Sequence, residues 1–300
     1  MNDMKGIIIV NPSRFSGQEY QAERIKEELG KLGVKTEILS DAFKNAVVKD
    51  GKVLADTDCD FAVFLDKDKY LAATLSASGV RLFNRAEAIR LCDDKGETVV
   101  ALSGKGLNLP ETVFAPLCYR EKFVTAELIE ETVAAVKSRL GFPVVVKESY
   151  GSMGTGVFLA ENEEELVKIS YELALKPHIY QKYLGRKKGT DVRVTVIGGK
   201  AVAAIERTNA CDFRSNLAQG GSGRKITPPA EFISAAERAA EILGLDYCGV
   251  DILYGDNGEP FICEVNSNAF FKGTESVTGV NVAGLYAAHI VKETQKRNVY

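Results

Sequence analysis

Histidine is scarce and cysteine is scattered in this 300-residue chain, and together these shortages remove most transition-metal chemistry. Only His178 and His289 could supply imidazole, and the six cysteines, Cys59, Cys92, Cys118, Cys211, Cys248 and Cys263, contain no C-x-x-C pair. A zinc or iron site is therefore not expected, and the cysteines read as reduced core residues. Neither sign of charge is in excess: 38 Lys and Arg against 41 Asp and Glu leave a net charge of -3. That balance exerts no global pull on nucleic acid or an anionic membrane, so any basic cluster must be local, as phosphates on a small ligand would require. Long hydrophobic runs are missing too. The N-terminus offers only Ile7 to Val10 before Asn11-Pro12, which is neither a signal peptide nor a membrane span. A cytoplasmic location is the default expectation.

Several catalytic signatures are absent as well. There is no G-x-S-x-G elbow, no H-E-x-x-H and no H-R-D with D-F-G, which removes the commonest hydrolase and kinase patterns. No G-x-G-x-x-G opens the first helix, so the dinucleotide fingerprint is missing. The run Gly151-Ser152-Met153-Gly154-Thr155-Gly156 is not a P-loop, which needs a Lys directly after its last Gly and a helix behind it. No repeat or low-complexity segment stands out. With 45% hydrophobic and 26% charged residues, the composition is that of an ordinary globular protein of one large or two smaller domains.

What is there begins with alternation. Lys5 to Val10 reads as a buried strand, Gln18 to Leu32 as an amphipathic helix ended by Gly33, Val34 to Leu39 and Phe61 to Leu65 as strands, Asp68 to Ala77 as a helix and Val80 to Phe83 as a strand. This argues a small parallel α/β domain closing near residue 95. One helix is expected over Arg85 to Leu102, followed by a strand ending at Ala115-Pro116, a helix from Thr125 to Leu140 and a strand from Phe142 to Lys147. The glycine-rich run then connects into Val157 to Ala160. Such a loop brings backbone N–H groups close to phosphate oxygens, with Lys147 as a nearby positive charge, although glycine-rich hairpins also occur with no chemistry attached. A helix over Glu163 to Leu175 and a strand over His178 to Leu184 follow. Asp191 to Ile197 and Lys200 to Arg207 form a hairpin over Gly198-Gly199, with Asp191, Arg193 and Thr195 on one face. Those charges fit a solvated face slightly better than a site. The glycine-rich loop from Asp212 to Gly223 is long and polar, and a helix from Pro229 to Leu243 leads to the last hairpin.

That hairpin carries the strongest chemical signal. Gly249 to Tyr254 and Pro260 to Asn266 flank Asn257-Gly258, whose positions suit a two-residue type I′ turn. In that register Asp256 faces Glu259 and Asp251 faces Glu264, with Cα atoms roughly 4.5 Å apart at the second pair. Asn266 and Ile262 then share the Glu264 face. Opposed carboxylates repel by ~1 kcal/mol in water and ~4 kcal/mol at an intermediate dielectric, and a hard divalent cation offsets that cost. Two carboxylates and an amide oxygen are ligands that magnesium accepts. A solvated hairpin with outward acidic side chains also satisfies the pattern.

Taken in order, Ala204-Ile205-Glu206-Arg207, Asp212-Phe213-Arg214-Ser215-Asn216, Gly249-Val250-Asp251-Ile252-Leu253 and Glu264-Val265-Asn266 resemble the RimK-like branch of the ATP-grasp ligases, the alpha-L-glutamate ligase type. The resemblance is strong from about Lys147 to Val291 and only architectural before Arg85. It implies an α/β and α+β chain: an ATP-grasp fold behind a small parallel α/β (pre-ATP-grasp) domain. The implied units are residues 1–95, a central subdomain with a glycine-rich flap at 96–180, and a C-terminal subdomain with the metal site at 181–300. By the matching motif positions, Asp251, Glu264 and Asn266 would hold one or two Mg2+ ions, with Mn2+ as a substitute. Lys95 and Lys147 would contact phosphates, the flap with Gly151, Ser152, Gly154 and Gly156 would close over them, and the segment of Gln181, Lys182, Tyr183 and Leu184 would hydrogen-bond adenine through its backbone. Asp191 would approach the ribose. Asp212 and Phe213 would adjoin the nucleotide, while Arg193, Arg214 and Asn216 would serve the γ-phosphate and the acyl group.

Two departures bear on the substrate. Lys182 stands where the family usually has Glu, and Ser267 to Glu275 replaces the common Ser-Pro-Gly turn. The implied reaction is ATP-dependent formation of an amide bond between a carboxylate and an amine through an acyl phosphate, adding glutamate or another amino acid to a peptide, protein tail or metabolite. A phosphotransferase or a non-catalytic nucleotide-binding protein on the same fold are the alternatives. The partners implied are ATP, an acid and an amine, with no nucleic acid or membrane, and a homo-oligomer is compatible with the family.

Overall fold

Successive residues of the first strand enter different cores: Ile8 packs on one side of its sheet, Ile7 and Ile9 on the other, as the two-residue period of a strand requires. The computed structural model describes residues 4–13, 16–40, 42, 46–55, 57–152, 154–215 and 220–297. In chain order come β1 (Lys5–Ile9), α1 (Ser16–Lys31), β2 (Lys35–Leu39), a hairpin of β3 (Ala46–Lys49) and β4 (Lys52–Ala55), β5 (Phe61–Phe64), α2 (Lys69–Ala77) and β6 (Arg81–Phe83). The parallel sheet runs β2-β1-β5-β6, as the alternation predicts. Asp68 caps α2 by accepting from the N–H groups of Tyr70 and Leu71, satisfying two donors that a helix start leaves open.

The expected helix over Arg85 to Leu102 is two helices, α3 (Ala86–Asp93) and α4 (Lys95–Leu102). Asp94 breaks them by turning extended and accepting from the N–H groups of Gly96 and Glu97. A capping aspartate competes well with continuation of a helix, and this break puts Lys95 at the start of α4. Next come β7 (Thr112–Phe114), α5 (Ala126–Leu140), β8 (Val144–Glu148), β9 (Val157–Ala160), α6 (Glu163–Leu173) and β10 (His178–Lys182). Their antiparallel sheet runs β7-β10-β8-β9, and Ile129, Val133 and Leu166 from the two helices bury one face of it.

The remainder is β11 (Thr190–Ile197), β12 (Lys200–Thr208), β13 (Ser222–Lys225), α7 (Ala230–Leu243), β14 (Tyr247–Tyr254), β15 (Pro260–Asn266), α8 (Lys272–Thr278) and α9 (Val282–Arg297). The sheet order is β13-β12-β11-β14-β15. Val192, Val194, Val250 and Ile252 bury one face against Phe232 and Ala236 of α7, with Ala88, Cys92 and Leu102 of α3 and α4 in the same core. On the opposite face Ile197 and Tyr247 join the first core, and the charged side chains of Asp191, Arg193 and Asp251 lie further along the same strands. The β3–β4 hairpin, β13, α8 and α9 were not anticipated from the sequence. Tyr286 and Ile290 of α9 pack with Ile25 and Leu29 of α1, so the C-terminal helix completes the first core.

The last hairpin corrects the expected turn while keeping its central pair. Gly258 N–H donates to Gly255 O at 2.9 Å and Gly255 N–H to Glu259 O at 2.8 Å, and Gly258 has positive φ while Asn257 does not. The loop is thus longer than two residues, and Asp256 does not face Glu259. That shifts the ladder so that Ile252 meets Ile262, and a bulge at Asp251/Ile252 then shifts it back. Asp251 still pairs with Glu264. The bulge also turns Ile262 into the α7 core, on the face away from Glu264, contrary to expectation. All six cysteines are free, and Cys211 is exposed rather than buried. No helix among the described residues is long and apolar enough to cross a membrane.

Candidate active site

Asp251 lies at the centre of a chain of buried charges on the polar face of the five-stranded sheet. Strand pairing sets Arg193 opposite it on β11, and Arg193 Nε and Nη2 donate to its two oxygens at 2.6 and 2.7 Å. Arg207 Nη2 reaches Asp251 Oδ2 at 3.0 Å and also binds Asp191, through Nε at 2.7 Å and through Nη2. Fork-shaped guanidinium groups suit this bridging. Burial pushes the Asp251 carboxyl up, but Arg193 and Arg207 outweigh it and hold it below the usual range. Asp191 shifts the other way: burial dominates, and the nearby Asp251 charge works against the relief that Arg207 gives.

Asn266 donates from Nδ2 to Asp251 at 3.5 Å. Glu264 is freer, with Lys95 Nζ at 4.0 Å. Lys147 is 8% exposed, and Cys263 Sγ at 3.5 Å accepts its hydrogen bond; no carboxylate lies within ion-pair distance of it among the described residues. Burial lowers the Lys95 ammonium pKa, with Glu264 opposing. Two buried ammonium groups so poorly supplied with anions form a ready cradle for polyphosphate. The flap rests over them: Lys95 Nζ donates to Gly151 O and Arg214 Nη1 to Gly154 O, both at 2.9 Å. Gln181 Oε1 is buried with no hydrogen-bond partner.

Two cavities meet at Asp251, Glu264 and Ser152. The smaller, about 110 Å³, runs between the two antiparallel sheets. Lys95, Lys147, Gly151, Gly154, Gln181, Lys182, Tyr183, Asp191, Phe213 and Arg214 also line it. The larger, about 690 Å³, is lined by Arg193 and Asn266 and opens toward the N-terminal sheet. Of the residues singled out in the sequence, Gly156 lines neither and instead accepts from Glu148 N–H at the flap's end. Asp212 sits in a separate surface depression, where the Arg214 hydrogen bond holds its carboxyl below the usual range. Asn216 lies outside the described residues. The Lys182 backbone N–H is taken by Glu111 O at 2.9 Å. Sequence reasoning assigned no role to Arg207, or to Asn11, Asp66 and Lys67 of the larger cavity; the signal for the last three is the order of the parallel strands.

Residues 93–290 match the RimK-like ATP-grasp domain. The chain is 36% identical over 220 residues to a probable alpha-L-glutamate ligase of Maridesulfovibrio salexigens, covering 72% of this chain and 69% of that one. It is 34% identical over 224 residues to the human beta-citrylglutamate synthase B, covering 74% of this chain and 56% of the synthase. Among solved structures, the RimK domain ATP-grasp protein of Sphaerobacter thermophilus superposes with a TM-score of 0.72 at 21% identity, over 95% of this chain and 98% of that one. The D-alanine–D-alanine ligase of Bacillus anthracis in complex with ATP gives 0.71 at 18% identity, over 98% of each chain. These likenesses show the ATP-grasp fold, and the matched residues include the buried charge chain, the flap and both lysines: the chain belongs to the RimK-like ATP-grasp family.

Proposed function

We propose that this protein is an ATP-dependent, ADP-forming carboxylate–amine ligase that makes an amide bond through an acyl phosphate, with glutamate or another amino acid as one reactant. The observation that carries the reading is the pair of buried lysines, Lys95 and Lys147, beside an acidic pair and beneath a glycine-rich flap. Both reactants are anionic when they meet, so the obstacle is charge, and positioned cations lower it without a nucleophilic side chain. Lys95 and Lys147 hold and orient the phosphates of the substrate ATP, in the cavity between the two antiparallel sheets. Arg214, tied to Gly154, draws the flap over the site and excludes water that would hydrolyse an acyl phosphate.

The donor set of Asp251, Glu264 and Asn266 is oxygen-rich and fits Mg2+, as one or two ions with Mn2+ as a substitute. When bound, the metal supplies charge neutralisation between the two anions. Asp251 stays bridged to Arg193 and Arg207, which leaves Glu264 as the carboxylate least committed elsewhere. The proposed units are residues 1–95, 96–180 and 181–300, with the second boundary moved to the end of β10 at Lys182 and ATP held between the last two. The names of the relatives support glutamate as the added amino acid.

The test is release of ADP and phosphate with ATP, Mg2+ and paired acids and amines. Turnover that requires both partners, and that stops in Glu264→Gln, supports the reading. ADP release by the wild type that is as fast without an amine as with one, or AMP and pyrophosphate as products, contradicts it.

A further inference from the structure

Asp66 is a buried carboxylate with no cationic partner among the described residues. It follows β5, is 5% exposed, and among the described residues accepts from neutral donors: Asn11 Nδ2 at 3.0 and 3.2 Å, and the Lys67 backbone N–H at 2.6 Å. The Lys67 ammonium turns away to Asp93, 3.1 Å distant. Among the described residues no cationic side chain lies within ion-pair distance of Asp66. Carboxylates this buried are almost always paired, and none of the described side chains supplies the cation.

Topology says why a ligand should arrive there. In the order β2-β1-β5-β6, the chain leaves β1 toward one edge and leaves β5 toward the other. The crevice at the carboxyl ends of β1 and β5 is therefore a topological switch point, where open parallel sheets receive ligands. Asn11 and Asp66 follow those two ends. Gln18 and Asn268 both donate to Leu65 O at 2.7 Å, which ties this crevice to the loop after β15. The large cavity runs from Asp66 to Asp251 and Glu264. Lys272 lines it too, its ammonium over the Tyr20 ring at 5.2 Å and without a carboxylate partner among the described residues. One cavity thus carries, among the described residues, a buried carboxylate and an exposed ammonium that have no ion-pair partner.

We propose that Asp66 binds the ammonium group of a zwitterionic α-amino acid substrate and that Lys272 takes its carboxylate. This rests on the ligase reading and places that reading's amino acid reactant in the larger cavity. The test dialyses wild type, Asp66→Asn and Lys272→Met, each with Mg2+ and ADP, against an equimolar mixture of the twenty L-amino acids, with mass spectrometry of what is retained. Wild type is expected to retain at least one amino acid. Asp66→Asn is expected to retain at least tenfold less of it while holding ADP equally. The matching acid without its amino group, glutarate in the case of glutamate, should bind Asp66→Asn no worse than wild type, a result that a collapsed cavity would not give. Lys272→Met should lose affinity for the amino acid but not for its carboxamide. Equal retention by Asp66→Asn, or a wild type that binds ADP yet retains no amino acid, overturns this proposal alone. A wild type that fails to bind ADP strikes the ligase reading itself.

Discussion

Arg193 grips Asp251 with two near-parallel hydrogen bonds, 2.6 and 2.7 Å long, and so occupies both oxygens of one of the two opposed carboxylates. With Arg207 on the same aspartate, the expected repulsion across the hairpin is met on the Asp251 side by arginines. Asp251 and Glu264 are thus unequal members of the pair, one buried and bridged, the other partly open.

That inequality predicts a split between stability and turnover. Replacing Asp251 by Asn leaves Arg193 without an anion among the described residues and Arg207 with Asp191 alone, and breaking a buried pair in this way costs up to about 3–5 kcal/mol. Glu264, with its side chain 29% exposed and Lys95 only at 4.0 Å, should cost less than about 1 kcal/mol as Gln. Denaturant unfolding of both variants checks the difference, and both should lose turnover.

Lys95 predicts a proton uptake. Burial sets its folded pKa below that of the unfolded chain. Between the two values the unfolded state binds more protons, so this group's contribution to stability rises with pH across that window. A bound polyphosphate favours the charged form, so ADP binding should draw in protons at alkaline pH. Calorimetry in buffers of different ionisation enthalpy should show the uptake in wild type and a smaller one in Lys95→Met.

Gly189 predicts a remote effect on nucleotide affinity. Its φ is +65°, and a Cβ there would collide with the carbonyl oxygens of Asn209 and Asp212, at the base of the loop that carries Phe213 and Arg214. Gly189→Ala should cost roughly 1–3 kcal/mol of local strain and weaken ADP binding measured by titration. Unchanged affinity would separate that loop from the nucleotide.

The Arg214 bond to Gly154 O predicts flap behaviour. A hydrogen bond from a charged donor contributes about 1.5–3 kcal/mol, so Arg214→Ala should open the flap roughly tenfold or more often. Cleavage in the flap by dilute protease, which follows the open population, should speed up to match. ATP hydrolysis without amine should rise.

The sequence made some of this legible and hid the rest for identifiable reasons. The parallel sheet followed from apolar alternation, and the Asp251–Glu264 pair from the hairpin, although a longer turn and a bulge replaced the expected turn and cancelled in register. Arg207 was hidden by another bulge. An unbroken hairpin over Gly198-Gly199 sets Asp191 against Glu206, and the shift between Thr195 and Val196 brings Arg207 there instead. Helix α9 was missed because its partner, α1, lies at the other end of the chain. Asp66 carries no motif; its meaning comes from strand order.

The most direct test of the ligase reading follows one atom. Supplying the acid substrate with a heavy-oxygen-labelled carboxylate, together with ATP, Mg2+ and the amine, and weighing the phosphate released, reports whether the carboxylate was phosphorylated. One labelled oxygen in inorganic phosphate, with ADP as co-product, is the predicted result. Label retained wholly in the amide product and unreacted acid, or label appearing in AMP, would contradict it.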